Sequence, residues 1–319
     1  MKTQIVISQQ NNPYLNLSVE TYLTDHQEED QVTMYLWANR RTVVIGLHQN
    51  PYSECNSDML IGDGGFLMRR RTGGGAVYHD LGNLNFSFIA DKRIYDVPRQ
   101  MSVIQKALRH YGLEAVVSGR NDLTIDGRKF SGNAFYNGPL NHLHHGTILI
   151  RTDAEAMQRY LRVNKAKLAK NGVKSVASRI VNLSELADVT ATNIVDPLIA
   201  AFQDVYGMTP NTIDFDTLAQ LPEVQAHAAR VSTHEYLFGK WEHFHAVKKE
   251  QFAWGGVEVG LDIDSARQTI RECRIASDCL DTDIIGQAES LLVGASTLTP
   301  PNIQQDNAIL KDIIGLIYA

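Results

Sequence analysis

The sequence predicts an α+β protein. It pairs a large domain with mixed or antiparallel sheets and flanking helices with a small α+β domain at the C-terminus. Three observations predict this. Strand-like and helix-like segments follow one another without regular βαβ alternation. The closing block runs strands first and then two helices separated by Thr299-Pro300-Pro301, as a small α+β unit does. With 319 residues, 44% hydrophobic and 21% charged, the chain has ample core for two units. The boundary is expected near residue 245, giving domains 1–245 and 246–319.

Taken in order, residues 3–8 read as a strand, and Asn16 as the N-cap of a helix reaching Asp25. Met34 to Trp37 and Thr42 to Leu47 read as strands joined by a polar turn at Asn39-Arg40, and Phe66 to Arg69 as another. Leu84, Phe86 and Phe88 alternate with Asn85, Ser87 and Ile89, the pattern of a half-buried strand. A helix over 98–111 stops at Gly112. Asp126-Gly127 lies between two apolar-rich runs and signals a type I′ hairpin, which needs φ > 0 at both positions. Gly146 to Ile150 reads as a strand, 153–162 and 164–171 as helices, the second closing at Gly172. A helix over about 192–206 contains Pro197, so it either begins later or kinks there. Strands over 250–263 and 267–275 and helices over 283–293 and 302–317 close the chain.

Composition excludes several classes. The net charge is −6 with pI about 6.0, which argues against nucleic-acid binding. Positive charge is clustered all the same, at Arg69, Arg70 and Arg71 and again at Lys165, Lys167, Lys170, Lys174 and Arg179. The second cluster is readable as a site for a small anion or as a solvated helix face. Three cysteines, Cys55, Cys273 and Cys279, form neither a disulfide framework nor a zinc motif and fit a reducing cytoplasm. The N-terminus lacks a signal-peptide pattern and no run approaches the ~18 apolar residues of a membrane span.

The stretch RRRTGGGAVYHDLGNLNFS, Arg69 to Ser87, is the centre of interest. Consecutive glycines let the backbone approach a ligand, and their N–H groups form a concave anion site. Arginines beside them offer bidentate donors to phosphate or carboxylate. No Walker lysine follows the glycines, so this is not a P-loop. Lys129 sits just past the Asp126-Gly127 turn, as a solvated lysine or as a fixed cation that stabilises charge developing on a phosphoryl group. Asn121-Asp122 precedes the hairpin. Asp122 could ligate Mg²⁺, fix Lys129, or shape the turn. His142, His144 and His145 lack metal-ligand spacing, so a hydrogen-bonded histidine beside Gly146 is the simpler reading. His79-Asp80 could orient the loop.

RRRTGGGAVYHDLGNLNFSF, SGRNDLTIDGRKFSGNAFY, HHGTILI, LAKNGVKSVASRIVNL and FAWGGVEV, in this order, resemble the motifs of lipoate–protein ligases, in the larger family that includes biotin ligases and octanoyl transferases. The resemblance implies a catalytic domain over 1–245 and an accessory domain over 246–319 that moves between two steps. Lipoate and MgATP would give lipoyl-AMP and pyrophosphate. A lysine of an acceptor lipoyl domain, from a 2-oxo acid dehydrogenase complex or a glycine-cleavage carrier, would then displace AMP. Lys129 would be the principal catalytic group. Nucleotide and acyl contacts would come from Arg70, Gly73, Gly74, Gly75, Ala76, Val77, Tyr78 and His79, with Asn121, Asp122, Lys129, His145 and Gly146 opposite. Asp122 is the candidate metal ligand. Val44 and Phe86 are guesses for the acyl tail, octanoate remains open as a substrate, and a monomer is expected. Two alternatives are kept. An acyltransferase between carrier proteins would need a cysteine near the loop, and none lies between Cys55 and Cys273. A non-catalytic lipoate-binding protein would use the same pocket.

Overall fold

The structure is a computed structural model that describes residues 1–119, 121–162, 180–303 and 307–319. The expected helix over 164–171, Gly172 and the basic cluster Lys165 to Arg179 lie outside the described residues.

The strands among the described residues are β1 Lys2–Ile7, β2 Gln31–Trp37, β3 Thr42–Ile45, β4 Phe66–Arg69, β5 Val77–His79, β6 Asn83–Asp91 and β7 Val116–Ser118. They continue with β8 Asp122–Ile125, β9 Arg128–Asn137, β10 Asn141–Leu149, β11 Asn211–Ile213, β12 Lys248–Phe252, β13 Gly255–Asp264 and β14 Thr269–Ser277. Eight form one sheet in the order β11-β1-β2-β6-β10-β9-β8-β7. The β1 pairings are parallel and the rest antiparallel. A second sheet runs β4-β3-β5 and a third β12-β13-β14. This is the mixed α+β architecture the sequence predicts.

Both faces of the large sheet are covered. On one, Met34, Leu36, Phe86 and Phe88 meet the helices Val97–Arg109 and Val195–Tyr206. On the other, Tyr35, Trp37 and Ile89 meet the helix Pro13–Asp25 and reach Val44 and Met68 of the second sheet. This corrects the half-buried reading of β6, all nine of whose residues are buried. Its polar positions face a second layer of protein instead of solvent. Consecutive strands β2 and β3 also go to different sheets, so the Asn39-Arg40 turn makes no hairpin.

Two helix starts differ from expectation. Asn12 caps the first helix, accepting from the Tyr14 and Leu15 amides, with Pro13 in the first turn. Asn16 is fully buried and brackets Ala38 and Asn39 instead. The helix around Pro197 begins at Val195. Pro197 therefore sits in the first turn, where its missing N–H is not needed. The third sheet packs its own apolar cluster, including Val257, Ile275, Ile285 and Ile313, against the helices Thr282–Leu292 and Ala308–Tyr318. No helix among the described residues is long and apolar enough to cross a membrane.

Candidate active site

A cavity of about 170 Å³ opens where the glycine loop, the β8–β9 hairpin and β10 converge. Arg70, Gly74, Gly75, Ala76, Val77 and His79 line one side. Asn121, Lys129, His145 and Gly146 line the other. Tyr78, Gly73 and Asp122 do not line it. Period-two alternation turns Tyr78 outward, against Tyr160 in a separate apolar cluster.

The hairpin forms as the Asp126-Gly127 signal requires, with φ of 50° and 74° at the two turn residues. It brings Lys129 Nζ to 2.7 Å from Asp122 Oδ1. The ammonium folds over Gly132, where a Cβ would lie 2.8 Å from Nζ. The Lys129 backbone is pinned as well, its carbonyl accepting from the Val181 amide at 2.9 Å. Lys129 is thus a positioned cation. Asn121 and Asn133 exchange side-chain-to-backbone hydrogen bonds and close the hairpin base.

Behind Asn133 lies His144, fully buried, with Nε2 2.9 Å from Asn133 Oδ1 and Nδ1 2.9 Å from Gln100 Oε1. A neutral imidazole donates through one nitrogen only. Gln100 Nε2 is buried and without a partner among the described residues. Turning that amide lets Gln100 donate to Nδ1 while Nε2–H donates to Asn133. Burial brings His144 down to about 3, so it is neutral at physiological pH.

The three arginines divide differently from expectation. Arg69 donates to the carbonyls of Gly46, Leu47, Gln49 and Leu237 and stacks on Trp241. Arg71 pairs with Asp25 and lies 4.0 Å over the Tyr136 ring. Only Arg70 reaches the cavity, and its donors go to Thr72 and to the carbonyls of Val44, Gly73 and Gly75. Burial pulls its guanidinium down to about 10, which leaves it charged. It turns the loop's carbonyls toward itself. Gly73 lacks a side chain for another reason. A Cβ there would lie 2.1 Å from the Cys279 carbonyl oxygen, which also accepts from the Gly74 amide at 3.1 Å.

His79 is buried and neutral, brought down to about 3 by burial and by nearby Arg70. Its Nδ1 meets Asn39, and its Nε2 has no partner among the described residues. Among the described residues no cluster of His, Cys, Asp and Glu could hold a metal ion by itself.

Leu17, Trp37 and Ala134 join Val44, Ala76 and Val77 as the apolar lining. Nothing in the sequence singles out Leu17 or Trp37, which arrive from other elements. Phe86, guessed for this role, is fully buried in the opposite core. It lies beneath Gly146, where a Cβ would lie 2.6 Å from its Cζ.

Comparison with known proteins agrees with this arrangement. Residues 12–203 match the lipoyl protein ligase A/B catalytic domain, and residues 242–305 match the bacterial lipoate protein ligase C-terminus. The chain is 36% identical over 293 residues to lipoate-protein ligase A of Psychrobacter cryohalolentis, covering 89% of this chain and 86% of that one. The P. falciparum LipL1 structure in complex with lipoate superposes with a TM-score of 0.85 at 29% identity, over 99% of both chains. A bipartite lipoate protein ligase of Thermoplasma acidophilum, solved with its E2 lipoyl domain, gives a TM-score of 0.64 at 26% identity, over 75% of this chain and 97% of that one. With the glycine loop, the lysine hairpin and the C-terminal sheet all in place, the chain belongs to the lipoyl protein ligase A/B catalytic domain family.

Proposed function

We propose that the protein is an ATP-dependent lipoate–protein ligase. One observation carries this: the Lys129 ammonium is fixed beside a cavity with an apolar lining on one part and a glycine loop on another. That combination suits a carboxylic acid with an apolar tail meeting a phosphoanhydride. The lipoate carboxylate oxygen attacks the α-phosphorus of ATP, the P–O bond to the β-phosphate breaks, and pyrophosphate leaves. The acceptor lysine's neutral ε-amine then attacks the acyl carbon, the bond to AMP breaks, and the amine proton is lost. Lys129 neutralises charge as it develops on the α-phosphoryl oxygens. Arg70, Gly74 and Gly75 shape the anion side, and Asn121, His145 and Gly146 the facing wall. Mg²⁺ enters as part of the nucleotide substrate. Asp122 supplies one oxygen at most, since Mg²⁺ at such sites keeps waters and phosphates as its other ligands.

The acceptor is a lipoyl domain, as it is for the T. acidophilum relative, from a 2-oxo acid dehydrogenase complex or a glycine-cleavage carrier. The chain divides near residue 245, acts as a monomer and works in the cytoplasm. Pyrophosphate release with lipoate or octanoate and ATP, without acceptor, tests the reading. Release followed by a lipoyl mass increment on an added lipoyl domain is expected. No release would overturn it in favour of an acyltransferase or a binding protein.

A further inference from the structure

We propose that Glu20, which does not line the cavity, is a positioning residue that sets the anion side and the acyl side of the site together. The inference rests on the ligase reading above. Glu20 is 1% exposed, and its Oε1 takes two hydrogen bonds. One comes from His145 Nδ1 at 2.9 Å. His145 Nε2 meets Thr72 Oγ1 at 2.8 Å, and Thr72 Oγ1 accepts from Arg70 Nε at 2.9 Å. With a neutral imidazole, only one set of hydrogen positions satisfies the chain. Arg70 donates to Thr72, Thr72 donates to His145 Nε2, and His145 Nδ1–H donates to Glu20. The second bond comes from Ser87 Oγ at 2.5 Å, and Ser87 Oγ accepts from Trp37 Nε1 at 2.9 Å.

The carboxylate is therefore a node. One branch ends on the cation that organises the glycine loop. The other ends on the indole that forms part of the apolar lining. A buried carboxylate is costly, and among the described residues no lysine or arginine lies within ion-pair distance of this one, which meets His145 instead. What the arrangement provides is direction, because a charged acceptor fixes the His145 tautomer and the Ser87 hydroxyl at once. Consecutive strand residues alternate faces. His144 thus orients Asn133 from behind the sheet, while His145 works from the front.

The test measures KM for ATP and for lipoate separately, by pyrophosphate release, in the full chain and three near-isosteric variants. Thr72→Val should raise KM for ATP tenfold or more and leave that for lipoate within threefold. Ser87→Ala should do the reverse. Glu20→Gln should raise both. Folded Glu20→Gln with both values unchanged overturns the proposal, as does a set in which every variant moves both constants equally. Wild-type protein without pyrophosphate release would instead sink the ligase reading. Should Glu20→Gln fail to fold, ¹⁵N spectra of histidine-labelled wild type decide, the His145 signals being those lost in His145→Gln. A protonated Nδ1 supports the node, and a protonated Nε2 with bare Nδ1 overturns it.

Discussion

Strand β8 carries Asp122 to within 2.7 Å of the Lys129 ammonium, both side chains being partly exposed and Lys129 alone of the two lining the cavity. The pair is fixed by hairpin register and by the Asn121–Asn133 bonds, so the cation is in position before any ligand arrives. Lys129→Ala should lower lipoate-dependent pyrophosphate release by ~10²- to 10³-fold or more, with unchanged circular dichroism. Asp122→Asn keeps the ammonium but loosens it and should cost less. A Lys129→Ala variant with near wild-type release would remove the assigned catalyst.

Two glycines at this site differ in what surrounds them. Among the described residues, a Cβ on Gly132 meets only the end of the Lys129 side chain, which can move, whereas a Cβ on Gly146 meets Asn133 Oδ1 at 2.5 Å and the Phe86 ring at 2.6 Å. Gly146→Ala should destabilise by about 1–3 kcal/mol through overpacking. Gly132→Ala should melt near the wild-type temperature while losing tenfold or more in pyrophosphate release, because the displaced ammonium leaves its place over the cavity. Calorimetry beside the activity assay separates them. Equal melting losses would contradict the packing argument.

Acid should destabilise the protein through its buried histidines. His79 and His144 stay neutral down to about 3, while the unfolded chain takes up their protons near 6.5. The unfolded state therefore binds more protons between those values. Stability present above pH 6.5 is lost as pH falls toward 3. Each histidine accounts for about 2 kcal/mol between pH 7 and 5. Urea unfolding of His144→Gln at the two pH values should show a drop smaller than that of wild type by this amount. An identical drop would mean that His144 is not held neutral.

The sequence made some of this legible and hid the rest for physical reasons. The Lys129 hairpin was readable because only a turn tolerating φ > 0 twice suits Asp-Gly. The glycine loop was readable because its residue types are local. Arg69 and Arg71 show their charge in sequence but not their partners, and those partners turn out to be distant carbonyls, Asp25 and Tyr136. Glu20 meets His145 across 125 positions, a contact made only by sheet pairing and helix packing. Gly73 looked like a ligand-contacting glycine, yet its space is taken by Cys279. The buried polar face of β6 read as exposed because alternation cannot say what covers each face.

Thioester chemistry should be absent. Burial pushes the Cys55 and Cys273 thiols up to about 12, Cys279 is 4% exposed, and none lines the cavity. The attacking form of a thiol is the thiolate. Iodoacetamide at pH 7.5 should therefore leave both pyrophosphate release and transfer within twofold of untreated enzyme. Inactivation that tracks labelling of one cysteine would revive a carrier-to-carrier acyltransferase.

The contact between Gly74 and Cys279 leads to a measurement on the C-terminal segment. The Gly74 amide, one of the donors expected to face an anion, is spent on the Cys279 carbonyl at 3.1 Å. The same segment is tied to the turn that follows β3 through the Ser277 amide, which donates to the His48 carbonyl at 3.0 Å. A phosphate accepting from Gly74 must displace the carbonyl, because one N–H cannot serve both acceptors at full strength. Amides around 277–283 should then lose a neighbour and exchange faster with solvent when ATP and lipoate are added, while those of the glycine loop become more protected. Hydrogen-exchange mass spectrometry on the full chain reads both segments in one experiment. Protection rising in both would show that the nucleotide binds without disturbing the Cys279 contact, and the anion site would have to lie elsewhere along the loop, at Gly75 and Ala76.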